Sequence, residues 1–331
     1  MKRGSTKPFS PPPPSITIAA EPFRISSRSG ALALRLDERE IATCDGATVR
    51  ANDARSGQLL RSASIQGLHA NPGEVLLAFS VDGALLFVGA APGGGELSDP
   101  VLVLDANTLS ALRTIEPEFD ATAIAGHPSD PSLLLVAGTR LAMYDARVGR
   151  IFAEFAASGA ERPAQRALFS PSGRWLAIKT DSSVELWSVA TLERTKTYPL
   201  ATWSAEIAFS SDSERLFVCT QGRLVTVSVA SDQRPFERPF AANVTASVNG
   251  PTALFELDDD EMLLCLGADL RVFDARTLEL RRSATDRCHI GDRVLSRDRK
   301  ALFANNAEGA IERVELDRLN VCRRPSQSAG I

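Results

Sequence analysis

The order of apolar and polar positions in this chain repeats itself at a spacing much longer than one helix or strand. Residues 167–179 and 183–193 read as an apolar strand ending in Phe169, a polar Ser-Pro-Ser-Gly turn, a second apolar strand, a short turn and an alternating third strand. Residues 207–219 and 223–232 repeat that order, with Ser-Ser-Asp-Ser in the turn. The polar residue that closes the third strand marks the period. It recurs at Asp53, Asp105, Asp145, Ser188, Ser228, Asp274 and Glu315, at intervals of 40 to 52 residues, and the residue before it is apolar or aromatic in every copy except at Asn52. Upstream, the first strand ends at Leu34, Phe79, Ala125, Phe169, Phe209, Phe255 and Leu295. Self-similarity at such a period is the mark of a repeat architecture.

Each unit predicts three strands of about five residues and a weaker fourth, such as 58–62 or 278–282. One such sheet buries only part of its apolar surface alone; packing face to face with its neighbours in a ring completes the burial. No stretch shows the i, i+3, i+4, i+7 spacing of an amphipathic helix, which removes the α/β alternatives. The expected fold is therefore all-β, a single seven-bladed β-propeller of four-stranded antiparallel blades over residues 16–324. Residues 1–15, rich in Pro, Ser and Lys, read as a disordered tail, and 325–331 as a short flexible one. Residues 15–19, Ser-Ile-Thr-Ile-Ala, alternate and are the expected ring-closing strand, outermost on blade 7.

Phe79-Ser-Val-Asp-Gly83, Phe169-Ser-Pro-Ser-Gly173 and the third-strand ends Met143-Tyr144-Asp145, Leu186-Trp187-Ser188 and Val272-Phe273-Asp274 resemble the repeats of the WD40 family. YVTN-type bacterial propellers are similar. The Gly-His pair that opens many family repeats is absent, and only Trp187 keeps the tryptophan. The family's buried Asp-His-Ser/Thr-Trp network is therefore not expected. The resemblance implies a partner-binding rim on the face that carries the blade-to-blade links, six residues before each first-strand end. Those positions are Arg28, Gly73, Phe119, Pro163, Trp203, Asn249 and His289. Alternating strand direction puts the Phe-Ser-Pro-type turns on the opposite face, about 17–20 Å away. Exposed aromatics dominate interface energetics, so Trp203 and Phe119 lead this set. Arg162, in the link 156–165, and Phe236 and Arg238, in the link 232–251, are expected to flank them.

Composition narrows the chemistry. The formal net charge is −4, which argues against a nucleic-acid-binding face over the whole molecule, although residues 281–331 carry 11 Lys+Arg against 7 Asp+Glu. Pro8 and Pro11 to Pro14 fall where a signal peptide needs its apolar segment, and no apolar run is long enough to span a membrane. Five cysteines without C-x-x-C spacing suit reduced thiols, so a cytoplasmic location is expected. Cys44, Cys219 and Cys265 each stand nine residues before a period marker and are equivalent positions of the repeat. His69, His127 and His289 fall on different faces, so no metal site is expected, and neither is a cofactor. The acidic run Asp258 to Glu261 lacks calcium-loop spacing, and the Gly-rich insertion at 90–100 lacks the Gly-Lys-Ser/Thr of a phosphate loop. Without catalytic motifs, the leading expectation is a non-enzymatic scaffold that binds a protein or peptide on the link-side face. The rival is a propeller hydrolase or lactonase with Glu206 or Asp292 at the channel mouth as base.

Overall fold

The computed structural model describes residues 25–26, 31–66, 68, 74–91, 99–155, 163–200, 205–220, 222–231, 234–240, 253–258, 260–266, 269–285, 293–305 and 310–316. They form seven four-stranded antiparallel sheets, the blades of a β-propeller. Blades 1 to 6 span 31–64, 75–115, 123–154, 166–199, 205–239 and 253–285, each an uninterrupted meander. Blade 7 takes three strands from 293–315 and its outermost one from Ile25–Ser26. Ile25 pairs with Ile311 and Ser26 with Ala310, so the ring is closed from the N-terminal side. The closing strand is thus Ile25–Ser26; residues 15–19, expected in that role, lie outside the described residues, as do 1–15 and 325–331.

Burial follows strand order. Second strands are sandwiched on both faces, and Leu133–Ala137 is buried at every position. Outer strands are wet, and Ala111–Ile115 is exposed at all but its last residue. The core is divided into seven clusters, one between each pair of neighbouring blades, because each blade can hide its apolar faces only against the next. Trp187 is fully buried between blades 3 and 4. Its indole N–H donates to Glu185 Oε2 at 3.1 Å, and Glu185 in turn holds Arg194 at 2.8 Å.

Two turn chemistries set the register. The Asp-Ala-x-Ser/Thr turn after the third strand is tied by the period-marking aspartate. Asp274 accepts the N–H groups of Thr277 at 2.7 Å and Arg276 at 2.9 Å, and these bonds, led by that from Thr277, hold its carboxyl well below the usual range. Leu109, Leu192 and Leu278 close this turn with positive φ where blades 1 and 3 use Gly57 and Gly149. The turn after the first strand is held by serine. Ser80 Oγ donates to Asp82 at 2.6 Å and accepts the Leu85 N–H at 2.9 Å, and Ser296 with Asp298 and Ala301 repeats the arrangement.

A β-bulge recurs between the third and fourth strands of blades 1, 2, 3, 4 and 6. It leaves Leu60, Leu112, Phe152, Thr195 and Arg281 without a residue opposite them. Phe236–Pro239, expected to be part of a long link, is instead the outermost strand of blade 5, with Phe236 opposite Thr226 and Arg238 opposite Leu224. Its Phe-Glu-Arg-Pro sequence is short for a strand, and an edge strand tolerates proline because one side of its ladder faces solvent.

Candidate binding surfaces

Of the rim residues expected on the link side, Arg28, Gly73, Arg162, Trp203, Asn249 and His289 lie outside the described residues, as does Asp292. Phe119 is not the exposed aromatic anticipated: it is 8% exposed and packs with Phe87, Val136 and Tyr144 between blades 2 and 3. The chain closes over it because residue 138 is glycine; a Cβ there would stand 1.9 Å from the Asp120 carbonyl oxygen and 3.1 Å from the Phe119 ring. Arg140 covers the ring at 5.8 Å and reaches Glu154 at 2.6 Å and Glu118 at 3.4 Å. What solvent meets at this position is an ion-paired guanidinium.

Arg238 joins blade 5 to blade 6, donating to the Thr277 carbonyl at 2.9 Å and pairing with Glu279 at 2.9 Å. Blades 1 and 4 do the same with other cations. Arg61 donates to the Ala106 carbonyl of blade 2, and Lys196 to the Ser228 carbonyl of blade 5 at 3.3 Å. Phe236 stands opposite Thr226, two residues before the period marker, where Arg61, Arg113, Lys196 and Arg282 stand in other blades. It is half exposed.

The bulge positions separate one side of the ring from the other. In three consecutive blades they are apolar and open to solvent: Leu60 is 46% exposed, Leu112 54% and Phe152 62%. Leu59 and Ile151, beside two of them, are exposed as well. In blades 4 and 6 the same position holds Thr195 and Arg281, and Arg281 is tied to Asp274 and Glu261. The acidic run of blade 6 is likewise engaged: Glu261 pairs with Arg281 and Arg282, and Asp260 with Arg276.

The central channel is lined by first strands. Glu206 of blade 5 is paired with Arg166 of blade 4, and Lys179 stands opposite Arg166 in the next strand. Burial pulls the Lys179 ammonium below its usual range, against the opposing pull of Glu206. At the mouth formed by the first turns, a cavity of about 370 Å³ is bounded by Phe169, Phe209, Phe255 and Leu295, with Glu256 and Arg299 among its polar groups. In the sequence this Phe/Leu series marks strand ends; in blades 4 to 7 of the folded chain it also lines a cavity. His127, in the first turn of blade 3, packs edge-on against Phe169 at 5.0 Å and accepts the Asp130 N–H at 3.2 Å on Nδ1. Burial lowers its pKa.

Among the described residues no group of three or more His, Cys, Asp or Glu is placed to hold a metal ion, and no helix is long and apolar enough to cross a membrane. Cys44, Cys219 and Cys265 are buried thiols. Burial pushes the Cys44 thiol up to about 11 and raises that of Cys219 further.

No protein-family model matches the chain, and neither does any curated protein. Solved structures do. The chain is similar to Kuenenia stuttgartiensis hydrazine synthase, with a TM-score of 0.71 at 13% identity over 90% of this chain and 97% of that one. It is also similar to the Cps50 (Swd1) β-propeller domain of Myceliophteria thermophila, with a TM-score of 0.69 at 14% identity over 88% of this chain and 97% of that one. Likeness at these identities establishes the fold, and a fold shared with 1633 solved chains does not select a function.

Proposed function

We propose that this chain is a non-enzymatic, WD40-like propeller scaffold that binds a protein partner along the outer strands of blades 1 to 3. The observation that carries it is the series Leu60, Leu112 and Phe152, one exposed apolar side chain at the same bulge in each of three consecutive blades. Apolar groups at a sheet edge are a liability that proteins usually remove with charge, as Arg281 does in blade 6. Their retention on adjacent blades fits a surface that a partner covers. The triple variant Leu60→Ser, Leu112→Ser, Phe152→Ser and the link-side variant Trp203→Ala, Arg238→Ala are to be compared in capture from the native lysate. Loss of a partner only in the triple variant supports the outer-strand surface. Loss only in the second keeps the scaffold and moves the surface to the link side. An unchanged partner set in both rejects the scaffold.

The hydrolase reading would use Glu206, which is ion-paired with Arg166; such a partner favours the anion and makes the carboxylate a weaker base. Metal content and an esterase and lactonase panel are expected to be blank; turnover abolished by Glu206→Gln would reverse the assignment.

A further inference from the structure

The cavity of about 370 Å³ at the turn-side mouth of the channel has one feature that packing does not explain. Glu256, 6% exposed, lines it. Its Oε2 accepts the Ser211 N–H at 2.6 Å and stands 3.5 Å from Arg299 Nη1, whereas Oε1 is buried and has no hydrogen-bond partner among the described residues. Buried polar atoms are nearly always satisfied, so this oxygen, at the edge of a cavity, has hydrogen-bonding capacity left for a water or a ligand group. Arg299 stands at the turn position where blades 2 and 4 use Gly83 and Gly173, with φ of 58°, as Glu38 and Ser213 do in blades 1 and 5. It lines the cavity beside Arg297.

We propose that this mouth binds a small amphipathic acid, a molecule with a compact apolar body and one carboxylate or comparable anionic group. Phe169, Phe209, Phe255 and Leu295 take the apolar body. Arg297 takes the anion, with Arg299, held 3.5 Å from Glu256, beside it. Burial favours the neutral form of Glu256, over the opposing effect of Ser211, Arg299 and Arg215, the groups that face it. A neutral carboxyl donates from Oε1 to the bound anion and does not repel it. The volume suits a small molecule. The site lies across the ring from the apolar bulges of blades 1 to 3 and does not depend on the scaffold proposal.

Titration of the full chain with 1-anilinonaphthalene-8-sulfonate, an anionic aromatic that reports by fluorescence, tests the site. The wild-type protein is expected to bind one probe per chain, displaced by benzoate and not by benzylamine. Arg299→Gly is expected to weaken probe binding about tenfold or more. Its melting temperature should be equal or higher, because glycine suits the backbone there. In the wild type, affinity should fall as pH rises through the range in which Glu256, raised by burial, loses its proton, and Glu256→Gln, whose amide donates at every pH, should remove that dependence. Unaltered binding in Arg299→Gly, displacement by benzylamine as effective as by benzoate, or an unchanged pH slope in Glu256→Gln would each overturn the proposal.

Discussion

Between blades 3 and 4, Leu135, Met143, Leu176, Ile178 and Trp187 interleave, and Phe155 stands edge-on to Trp187 at 5.9 Å. Between blades 7 and 1, the buried core among the described residues is Leu32, Ile41, Ala54, Phe303 and Ile311, with partly buried Leu34 and Val294 against it, and a cavity of about 590 Å³ lies beside it, lined by Asp37, Glu38, Asp298 and Arg313 among others. The repeat is the same at both places, and what differs is how much of it each joint can use. Blades 3 and 4 follow one another in a single run of chain, whereas blades 7 and 1 meet from opposite ends of it. The seam is held instead by polar bonds. Glu38, with φ of 58°, accepts the N–H groups of Arg297 and Asp298 across the joint, and Ile25–Ser26 completes blade 7. A ring opens at its least packed joint, so equal repeats do not give equal local stability.

The sharpest way to break this contrast is to truncate one large side chain at each joint. Trp187→Ala is expected to cost about 3–5 kcal/mol in urea unfolding, the range for a large buried aromatic. Phe303→Ala should cost less, about 3 kcal/mol at the low end of that range, because its ring borders a cavity. Equal losses would erase the distinction. Deleting residues 1–26 removes the strand paired with Ile311 and Ala310 and should cost about 1 kcal/mol, one or two net hydrogen bonds. Hydrogen exchange should then quicken in blades 7 and 1 and stay unchanged in blades 3 and 4; uniform quickening would show that closure serves the whole ring. The smallest effect belongs to pH. Burial holds the His127 pKa below its ordinary value, so the unfolded chain takes the proton first as pH falls. The stability this imidazole contributes is complete above the ordinary histidine range and is lost as pH drops through it toward the folded value. His127→Gln should flatten that part of the acid slope in thermal melts, and an unaltered slope would remove His127 from the joint between blades 3 and 4.

The blade count and the strand order were legible because the period-marking residues are fixed by local chemistry: a side-chain oxygen that accepts N–H groups of the turn, from Asp53, Asp105 and Asp274 and from Ser188 and Ser228 in blades 4 and 5. Closure was legible only in position. An outermost strand pairs on one side, so two residues suffice, and the better alternation of 15–19 carried no information about which segment does the pairing. The exposure of Phe119 was not readable either, since it depends on Gly138 and Arg140, which reach it through the fold. The channel cavity left no such mark: aligning the first turns places Arg299 in register with Gly83 and Gly173, but Glu38 and Ser213 take the same position in blades 1 and 5, and only the fold brings Arg299 and Glu256 together.

The buried thiols make the molecule its own clock. Cys44 lies in the core between blades 1 and 2, Cys219 in that between blades 5 and 6, and Cys265 in that between blades 6 and 7. A covered thiol reacts with an alkylating reagent only while its joint is apart. The three labelling rates under native conditions therefore time three openings in one sample. If the ring parts first at the seam and the breach spreads outward, Cys44 and Cys265, each one joint from the seam, will be modified before Cys219.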